Sequence, residues 1–266
     1  MRTIRASHSS LFTLHFTSGM LTVMSVEIHR TPNGAILYDT ARFGKPDEAL
    51  FTPEYWMTRH AITARAGGRG GVLFLRDDRH HWVLRHYRRG GLVAKLIDDL
   101  YFWRGAEGTR AFREWRLLHA LRLKTFPVPV PVATRYVRSG LWYRADLITE
   151  ALPPGRTLAA AIGGTTLIDE VWRKVGAAIA RLHLAGVHHA DLNAHNILLG
   201  ESAQVFVLDF DRGRIRKRGS WEAKVLARLR RSLDKIRGQS ANVRFGAREW
   251  EELMKGYVQR LEMRDA

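Results

Sequence analysis

Three side chains with polar oxygen atoms lie at fixed offsets in the second half of the sequence. Asp191 and Asn196 belong to the run HADLNAHN, and Asp209 opens the triplet Asp-Phe-Asp. A carboxylate can accept the proton of a hydroxyl group, and carboxylate and amide oxygens are suitable ligands for Mg²⁺. The order matches H-x-D-L-x-x-x-N followed by D-F, so it predicts phosphoryl transfer, with Asp191 acting on the acceptor and Asn196 and Asp209 binding the metal ion.

Two apolar runs separate these motifs and predict the element that holds them. They are residues 197–199 and 205–208, joined by the sequence Gly-Glu-Ser. Short apolar runs bounded by turn residues are typical of paired strands, so we expect a hairpin beside the metal-binding groups. His189 is expected to support the loop by packing and hydrogen bonding, because the metal ions that accompany nucleotides take hard oxygen ligands.

A glycine-rich segment precedes two further predicted strands. Gly68 and Gly70 lie in the run AGGRGG, which leads to apolar runs at residues 72–75 and 82–87. Glycine lets backbone N–H groups approach a polyphosphate closely, and a cation two strands later is expected to contact the same phosphates. Arg85 occupies that position. The glycines alone also fit an ordinary hairpin turn, but their place before the strands favours a nucleotide site.

Residues 109–123 predict the helix that should orient Arg85. Their apolar side chains recur at spacings of three and four residues, which is typical of an amphipathic helix, and Glu114 lies beside the apolar stripe. In protein kinases a helix carboxylate pairs with the phosphate-binding cation. We therefore expect Glu114 to pair with Arg85, the alternative being a surface glutamate paired with Arg110 or Arg113.

A hinge is predicted where a second pair of strands ends. The strands are expected at residues 132–137 and 141–149, and a Pro-Pro-Gly sequence follows shortly after them. Backbone groups of a hinge commonly bind adenine, so Glu150 and Ala151 are candidate nucleotide contacts. The region before Ala66 is expected to be rich in loops, apart from residues 24–29, whose alternation is typical of the start of a strand.

The predicted elements indicate an α+β fold with two lobes. The N-terminal lobe, residues 24–151, would hold an antiparallel sheet and one helix. The C-terminal lobe, residues 152–266, would be reduced and mostly helical, with helices at 157–162 and Asp169–Leu184. Residues 1–23 are expected to be a disordered extension, with Met24 as the true translation start.

Composition limits the classes of protein that the chain can be. Its 266 residues are 45% hydrophobic, enough for a sizeable core, and it contains no cysteine, which excludes disulfides and thiolate zinc sites. No apolar run approaches the ~20 residues needed to span a bilayer. The formal charge of +17 favours an anionic partner, such as nucleic acid, acidic lipid or a phosphorylated substrate.

The combined motifs resemble those of a family. Five stretches carry the likeness: WVLRHYRRGG at 82–91, RAFREWRLL at 110–118, YRADLITE at 143–150, HADLNAHNILL at 189–199 and LDFDRGR at 208–214. Together they resemble the 3-deoxy-D-manno-octulosonic acid (Kdo) kinases of Gram-negative bacteria, in the lipopolysaccharide core kinase group of the protein-kinase-like fold.

The resemblance implies an activity and a set of roles. It implies ATP-dependent phosphorylation of the 4-hydroxyl of Kdo in Kdo-lipid IVA, at the cytoplasmic face of the inner membrane. Asp191 would orient or deprotonate the sugar hydroxyl, and Asn196 and Asp209 would hold Mg²⁺. Arg85 would contact the ATP phosphates, and Glu114 would orient Arg85.

Two positions depart from the usual kinase pattern. Arg85 stands in place of a lysine, and a planar guanidinium differs from a compact ammonium group, so Lys95 is an alternative phosphate ligand. Asp211 replaces the glycine of the D-F-G triplet. It would add a carboxylate to the metal site or pair with Arg212 or Arg214.

The residues after Asp209 give evidence about which class of acceptor the chain phosphorylates. They contain no A-P-E motif of the kind that ends a protein-kinase activation segment, which disfavours a polypeptide acceptor. Trp221–Arg237 predicts a basic amphipathic helix, which fits either an element that binds a membrane surface or an acidic ligand, or a core helix with a charged, solvated face. Arg88 and Arg89 form a further cationic patch that we expect to face the acceptor.

Two rival functions differ from this interpretation. One is another small-molecule or protein kinase of the same fold. The other is a basic pseudokinase or nucleic-acid-binding protein, which the intact Asp191, Asn196 and Asp209 and the lack of a recognition motif both disfavour, so we expect no nucleic-acid partner.

Overall fold

The computed structural model describes residues 26–41, 43–66, 71–88, 99–164, 166–201 and 203–263. The predicted extension at 1–23, Met24, the loop glycines Gly68 and Gly70, and Lys95 lie outside these ranges. The strands are β1 Val26–Thr31, β2 Gly34–Asp39, β3 Ile62–Ala66, β4 Val72–Arg76, β5 His81–His86, β6 Tyr101–Phe102, β7 Pro131–Ser139, β8 Trp142–Glu150, β9 Gly155–Thr157, β10 Val187–His188, β11 Ile197–Gly200, β12 Val205–Val207 and β13 Arg214–Ile215. The helices are α1 Pro53–Met57, α2 Arg110–Leu123, α3 Leu158–Ile162, α4 Asp169–Leu184, α5 Trp221–Arg237 and α6 Ala247–Glu262.

An antiparallel sheet forms the N-terminal part of the molecule. Its strands follow the order β1-β2-β7-β8-β5-β4-β3, and β6 pairs with β8. The pairing of β5 with β8 places Arg85 opposite Leu147 and Trp82 opposite Glu150. The strand with the phosphate-binding candidate therefore lies directly beside the strand that leads to the hinge, which confirms the predicted α+β class.

The expectation of a loop-rich region before Ala66 is wrong. Three strands (β1 to β3) and α1 lie there, together with a 3-10 turn at Glu48–Phe51. Phe51 and Trp56 are buried and pack with Trp82 against the sheet face that α2 does not cover. Because β2 is covered on both faces, its sequence shows no alternation of polar and apolar residues. The strand could therefore not be predicted from such alternation.

Helix α2 covers the other face of the sheet. Thr109 caps its N-terminus, with the side-chain oxygen accepting a hydrogen bond from the Phe112 N–H at 3.4 Å. Phe112, Trp115 and Leu118 are buried within the larger core. Glu114 is also buried, at 3% exposure, so the predicted helix brings a carboxylate into the interior.

The C-terminal part is mostly helical, with small strand pairs that hold the loops. The β11 and β12 strands form the predicted hairpin, and β9 pairs with the free edge of β11. The predicted helices at Asp169–Leu184 and Trp221–Arg237 have those bounds. None of the helices in the described ranges combines the length and apolar character that a bilayer crossing requires.

Helix α5 resolves one of the alternatives left by the sequence. Its apolar side chains, Val225, Leu229 and Leu233, are buried in the core, and Leu229 and Leu233 have no exposed surface. The charged side chains face solvent or lie at the edge of the core. The apolar face is therefore a packing surface of the fold and is not available to enter a membrane.

Two glycines allow α4 and α6 to pack closely. A Cβ atom added at Gly176 would lie 1.9 Å from the Leu253 carbonyl oxygen, and one at Gly256 would lie 2.1 Å from the Arg173 carbonyl oxygen. Both distances are far below van der Waals contact. The two backbones touch because neither helix carries a side chain at its crossing point.

We expect Gly256→Ala to destabilise the fold, although alanine is normally the better helix former by about 1 kcal/mol. The added methyl group would push α6 away from α4, at a cost of about 1–3 kcal/mol in the free energy of unfolding. Urea denaturation measures this change. Gly44→Ala is the control because no described atom lies within 4 Å of its added Cβ; equal unfolding midpoints for the two variants would contradict the packing argument.

His183, at the junction of α4, α5 and α6, predicts a dependence of stability on pH. Its Nδ1 atom lies 2.8 Å from the Tyr257 hydroxyl, and its ring contacts Trp221 edge to face. Burial lowers the pKa of His183 to about 4. Because the unfolded chain then binds a proton that the folded chain excludes, the free energy of unfolding falls as the pH drops from about 6.5 to about 4.

Denaturation midpoints measured across this pH range test the assignment. The wild-type protein should lose stability more steeply than His183→Gln, which removes the titrating group. Parallel curves for the two proteins would show that His183 does not cause the loss.

Candidate active site

A buried carboxylate organises the nucleotide side of the site. Glu114 accepts hydrogen bonds from the Arg85 guanidinium, from the Tyr87 hydroxyl at 2.6 Å and from the Phe210 N–H at 3.1 Å. The predicted ion pair between Glu114 and Arg85 is therefore present, and the alternative of a surface glutamate is wrong. The contacts join α2, β5 and the segment after β12, so three separate parts of the chain meet at one side chain.

Arg85 extends this network to the metal-binding candidate. Its second guanidinium nitrogen donates to Asp209 Oδ1 at 2.6 Å. Burial lowers the pKa of Arg85, but Glu114, Tyr87 and the two nearby aspartates together more than offset burial and leave that pKa well above its usual value. Burial raises the pKa of Glu114. Arg85 is thus a permanent cation between two acidic groups.

Asp209 is suited to bind a divalent cation. Burial alone would raise its pKa, but the Arg85 guanidinium reverses the effect and holds the pKa of Asp209 below its usual range. Its backbone lies in the left-handed region, with φ of 60°. Few residues adopt that conformation readily, aspartate and asparagine among them, and such backbone values concentrate at functional sites.

The catalytic loop places Asn196 and Asp191 close together. The Asn196 side-chain amide donates to the Asp191 carbonyl at 3.1 Å, and the Asn193 amide donates to the same oxygen at 2.9 Å. Asn196 uses its nitrogen in this bond, so its side-chain oxygen remains as a potential ligand. The Asp191 carboxylate is about 38% exposed and pairs with Arg228 of α5.

The donor set fits magnesium bound with a nucleotide. Asn196 and Asp209 line the same cleft and offer hard oxygen atoms, while the phosphates of the nucleotide would complete the coordination. Within the described ranges, no group of three or more His, Cys, Asp or Glu side chains forms a self-sufficient metal site.

His189 supports the metal-binding segment from behind. Its Nε2 atom lies 2.8 Å from the Leu208 carbonyl, and its ring contacts Phe210 edge to face. Burial lowers the pKa of His189, so the ring is neutral and donates to the carbonyl. The predicted packing and hydrogen-bonding role is present.

Asp211 has a partner that the sequence did not predict. Its Oδ2 atom accepts a hydrogen bond from Arg110, the first residue of α2, at 2.9 Å. The predicted pairing with Arg212 or Arg214 is therefore wrong. Asp211 joins the start of α2 to the metal-binding segment, and its φ does not lie in the left-handed region that would favour glycine.

A cleft between the two parts of the molecule holds these groups. Its volume is about 870 Å³, and its lining includes the polar side chains of Arg85, Glu114, Asn196 and Asp209 together with apolar side chains. The apolar lining residues are Ala66, Val72, Phe74, Val83, Leu118, Leu147, Leu152, Leu198 and Leu208. Its mixture of apolar walls and a few converging polar groups is typical of a ligand site.

The hinge differs in detail from the expectation. Glu150 lines the cleft, but the Ala151 N–H donates to the His81 carbonyl at 2.7 Å and is not available to adenine. The Glu150 N–H is also used, in a bond to Val130 at 2.9 Å. Leu152, which the sequence did not single out, lines the cleft in place of Ala151.

Several predicted site residues lie outside the described ranges. Gly68, Gly70, Lys95 and Arg89 belong to this group, and their nucleotide or acceptor roles stay predictions. Arg88 is exposed just after the end of β5. The functional contacts that sequence reasoning missed are those of Arg110 and Arg228, each of which meets its aspartate from a distant part of the chain.

Comparison with known proteins agrees with this geometry. Residues 53–257 match the model of the lipopolysaccharide kinase (Kdo/WaaP) family. A protein of Stenotrophomonas maltophilia named 3-deoxy-D-manno-octulosonic acid kinase is 44% identical over 228 residues, covering 85% of this chain and 87% of the relative. Proteins with the same name from Xylella fastidiosa and Vibrio parahaemolyticus are 43% and 40% identical, covering 87% and 79% of this chain and 91% and 88% of the relatives.

The match spans both parts of the molecule. It begins at α1 and ends within α6, and so includes Arg85, Glu114, Asp191, Asn196 and Asp209. The chain belongs to the lipopolysaccharide kinase (Kdo/WaaP) family and is a phosphotransferase.

Proposed function

We propose that the protein uses ATP and Mg²⁺ to phosphorylate the 4-hydroxyl of Kdo in Kdo-lipid IVA, during assembly of the lipopolysaccharide inner core. The observation that carries the proposal is the meeting of Asn196 and Asp209 at one cleft with the Arg85–Glu114 pair, while the Asn196 side chain holds the backbone of Asp191 beside them. Relatives that are 40–46% identical over most of the chain are named as kinases of this sugar acid.

The nucleotide phosphates would lie near Arg85. Its guanidinium lines the cleft and is fixed by Glu114, and a planar fork can bind two phosphate oxygens at once. Mg²⁺, held by Asn196 and Asp209, would neutralise charge on the phosphates. Arg85 would exchange its bond to Asp209 for bonds to phosphate, which frees that carboxylate for the metal ion.

Asp191 would act on the acceptor. The 4-hydroxyl oxygen attacks the γ-phosphorus of ATP while the bond from that phosphorus to the β-phosphate breaks, and the hydroxyl proton passes to Asp191. The bonds from Asn193 and Asn196 to the Asp191 carbonyl fix the backbone of the residue that takes the proton. Positioning of this kind supplies much of the rate enhancement in phosphoryl transfer.

The chain after Asp209 supports a small or lipid-linked acceptor. A short strand, β13, and then helix α5 follow directly, and α5 packs beside the catalytic loop. In a protein kinase, an activation segment and its A-P-E motif would follow the D-F-G triplet. The side of the catalytic loop where a peptide would otherwise dock is here bordered by a basic helix.

Contact with the inner membrane would be peripheral and electrostatic. The exposed cations of α5 and the net charge of +17 favour an anionic surface, each nearby Lys or Arg contributing about 1 kcal/mol. The buried apolar face of α5 takes no part. Binding to vesicles containing anionic phospholipid should therefore weaken strongly as salt is raised, whereas neutral vesicles should not bind.

Mass spectrometry of Kdo-lipid IVA after incubation with the protein and Mg·ATP tests the proposal. We expect the acceptor to gain the mass of one phosphate, located at position 4 of Kdo by phosphorus–proton correlation in NMR. Lipid IVA without Kdo should remain unchanged.

Two variants complete this test. Arg248→Met removes an exposed arginine that pairs with Asp169 at the far end of α4 from the catalytic loop, and it should retain activity. Asp191→Asn should lose it. Phosphate on the lipid IVA disaccharide or on another hydroxyl of Kdo would overturn the assignment of the acceptor.

A further inference from the structure

The catalytic carboxylate has an arginine partner from a different element. The Arg228 guanidinium, on α5, pairs with Asp191 Oδ1. The side chains of Arg228 and Asp191 are 48% and 38% exposed. An exposed pair of this kind contributes about 0–1 kcal/mol, so a ligand can exchange one of its members readily.

The backbone around Arg228 is firmly held. Ser232, one helical turn later, accepts a hydrogen bond from the Ala194 N–H of the catalytic loop at 3.2 Å. Leu229 and Leu233 have no exposed surface. The base of the Arg228 side chain is therefore fixed beside the loop, while its long, half-exposed end is able to change partner.

The same side of α5 carries an excess of positive charge. Lys224, Arg231 and Lys235 lie four residues before and three and seven residues after Arg228, on one helical face, and all three are exposed. Among the residues that the structure describes, none of these three has an ion-pair partner, whereas Arg230 and Arg237 both pair with Asp234. Arg228 is thus the member of a cationic face that reaches the reacting carboxylate.

We infer that Arg228 selects an acidic sugar as acceptor by binding its carboxylate. The inference rests on the proposed function, and the names of the relatives describe their substrate as an acid. The sugar carboxylate would replace Asp191 as the partner of Arg228, in a bidentate pair that fixes the ring. The exchange releases Asp191 to accept the proton of the hydroxyl group.

A neutral sugar cannot drive this exchange. It leaves Arg228 paired with Asp191 Oδ1, so this oxygen stays occupied and is not available to accept a hydrogen bond from the hydroxyl group. Arg228 therefore links recognition of the acceptor to activation of the catalytic residue, and an acceptor without the carboxylate is disfavoured in both binding and reaction.

The test compares two acceptors that differ in one group. The first is the Kdo-containing acceptor, and the second is its C1 carboxamide, which keeps the 4-hydroxyl but has no charge. Wild-type protein should favour the acid by about 10- to 100-fold in kcat/KM, the effect of one charged hydrogen-bonded contact. Arg228→Met should remove this preference, mainly by raising the acceptor KM, and should leave the ATP KM unchanged.

Two further variants separate specific from general effects. Arg228→Lys keeps the positive charge but cannot form a bidentate pair with the carboxylate, and it should retain part of the preference for the acid. Arg248→Met, the same change as Arg228→Met at an exposed ion pair far from the site, should retain all of it. The unfolding midpoint of Arg228→Met should match that of the wild type, because the lost pair is exposed.

The outcomes distinguish this inference from the proposed function. If wild-type protein phosphorylates acid and amide equally well, or if Arg228→Met keeps the preference for the acid, the role of Arg228 is refuted and the proposed function stands. If wild-type protein phosphorylates neither acceptor, both fail.

Discussion

Asp191→Asn is expected to lower kcat by about 10²- to 10⁴-fold, the usual contribution of a positioned general base. Asparagine has the same shape but cannot take the hydroxyl proton. The hydrogen bonds that Asn193 and Asn196 donate to the backbone carbonyl of residue 191 remain possible, so the loop should keep its conformation. The ATP KM should change little, because Asp191 is not among the residues that line the nucleotide cleft.

Initial rates at saturating acceptor, with ATP varied, measure both parameters. Asp169→Asn is the matched control, since Asp169 makes an exposed ion pair with Arg248 at the start of α4. Its kcat should equal that of the wild type. Undiminished turnover by Asp191→Asn would falsify the catalytic assignment.

Glu114→Ala is expected to destabilise the protein by about 3–5 kcal/mol, the usual result of removing one partner from a buried ion pair. The change leaves the Arg85 cation without its acceptor and also deprives the Tyr87 hydroxyl and the Phe210 N–H of theirs. Denaturation in urea measures the loss. Glu107→Ala is the control, because the exposed pair of Glu107 with Arg116 should contribute only about 0–1 kcal/mol.

Glu114→Gln separates the catalytic effect from the structural one. Glutamine keeps the shape and an acceptor oxygen for the Phe210 N–H, but it removes the charge that holds Arg85. We expect a folded protein with a raised ATP KM and a lowered kcat. A variant with wild-type kinetics would show that Arg85 does not need Glu114 to meet the phosphates.

Local patterns in the sequence predicted much of the site. The 3.6-residue periodicity of residues 109–123 placed Glu114 on α2, and two short apolar runs predicted the β11–β12 hairpin beside Asp209. These two signals succeed because each depends on residues that are close in sequence. The Arg85–Glu114 pair, which joins residues 29 positions apart, was predicted instead by analogy with the order of elements in protein kinases.

Contacts between distant residues could not be predicted in this way. Arg110 and Asp211 are 101 positions apart, and Asp191 and Arg228 are 37 apart. Nothing local distinguishes these arginines from the 43 Lys and Arg residues of the chain. The α1 segment was missed for a related reason, because its role in covering the sheet is evident only when the buried face of the sheet is known.

The anchoring of α2 has a consequence for nucleotide affinity. In protein kinases the position of the equivalent helix is often what regulation changes. When only a fraction of the molecules has the helix in its active position, the apparent affinity for ATP falls in proportion to that fraction. Here Arg110 binds Asp211, and Glu114 binds both Arg85 and the Phe210 N–H, so the helix is tied to the metal-binding segment at two points one turn apart. The position of α2 is therefore set before ATP arrives, and of these contacts only the bond from Arg85 to Asp209 has to be exchanged when ATP binds. We expect the apparent affinity for ATP to carry no added cost for moving this helix.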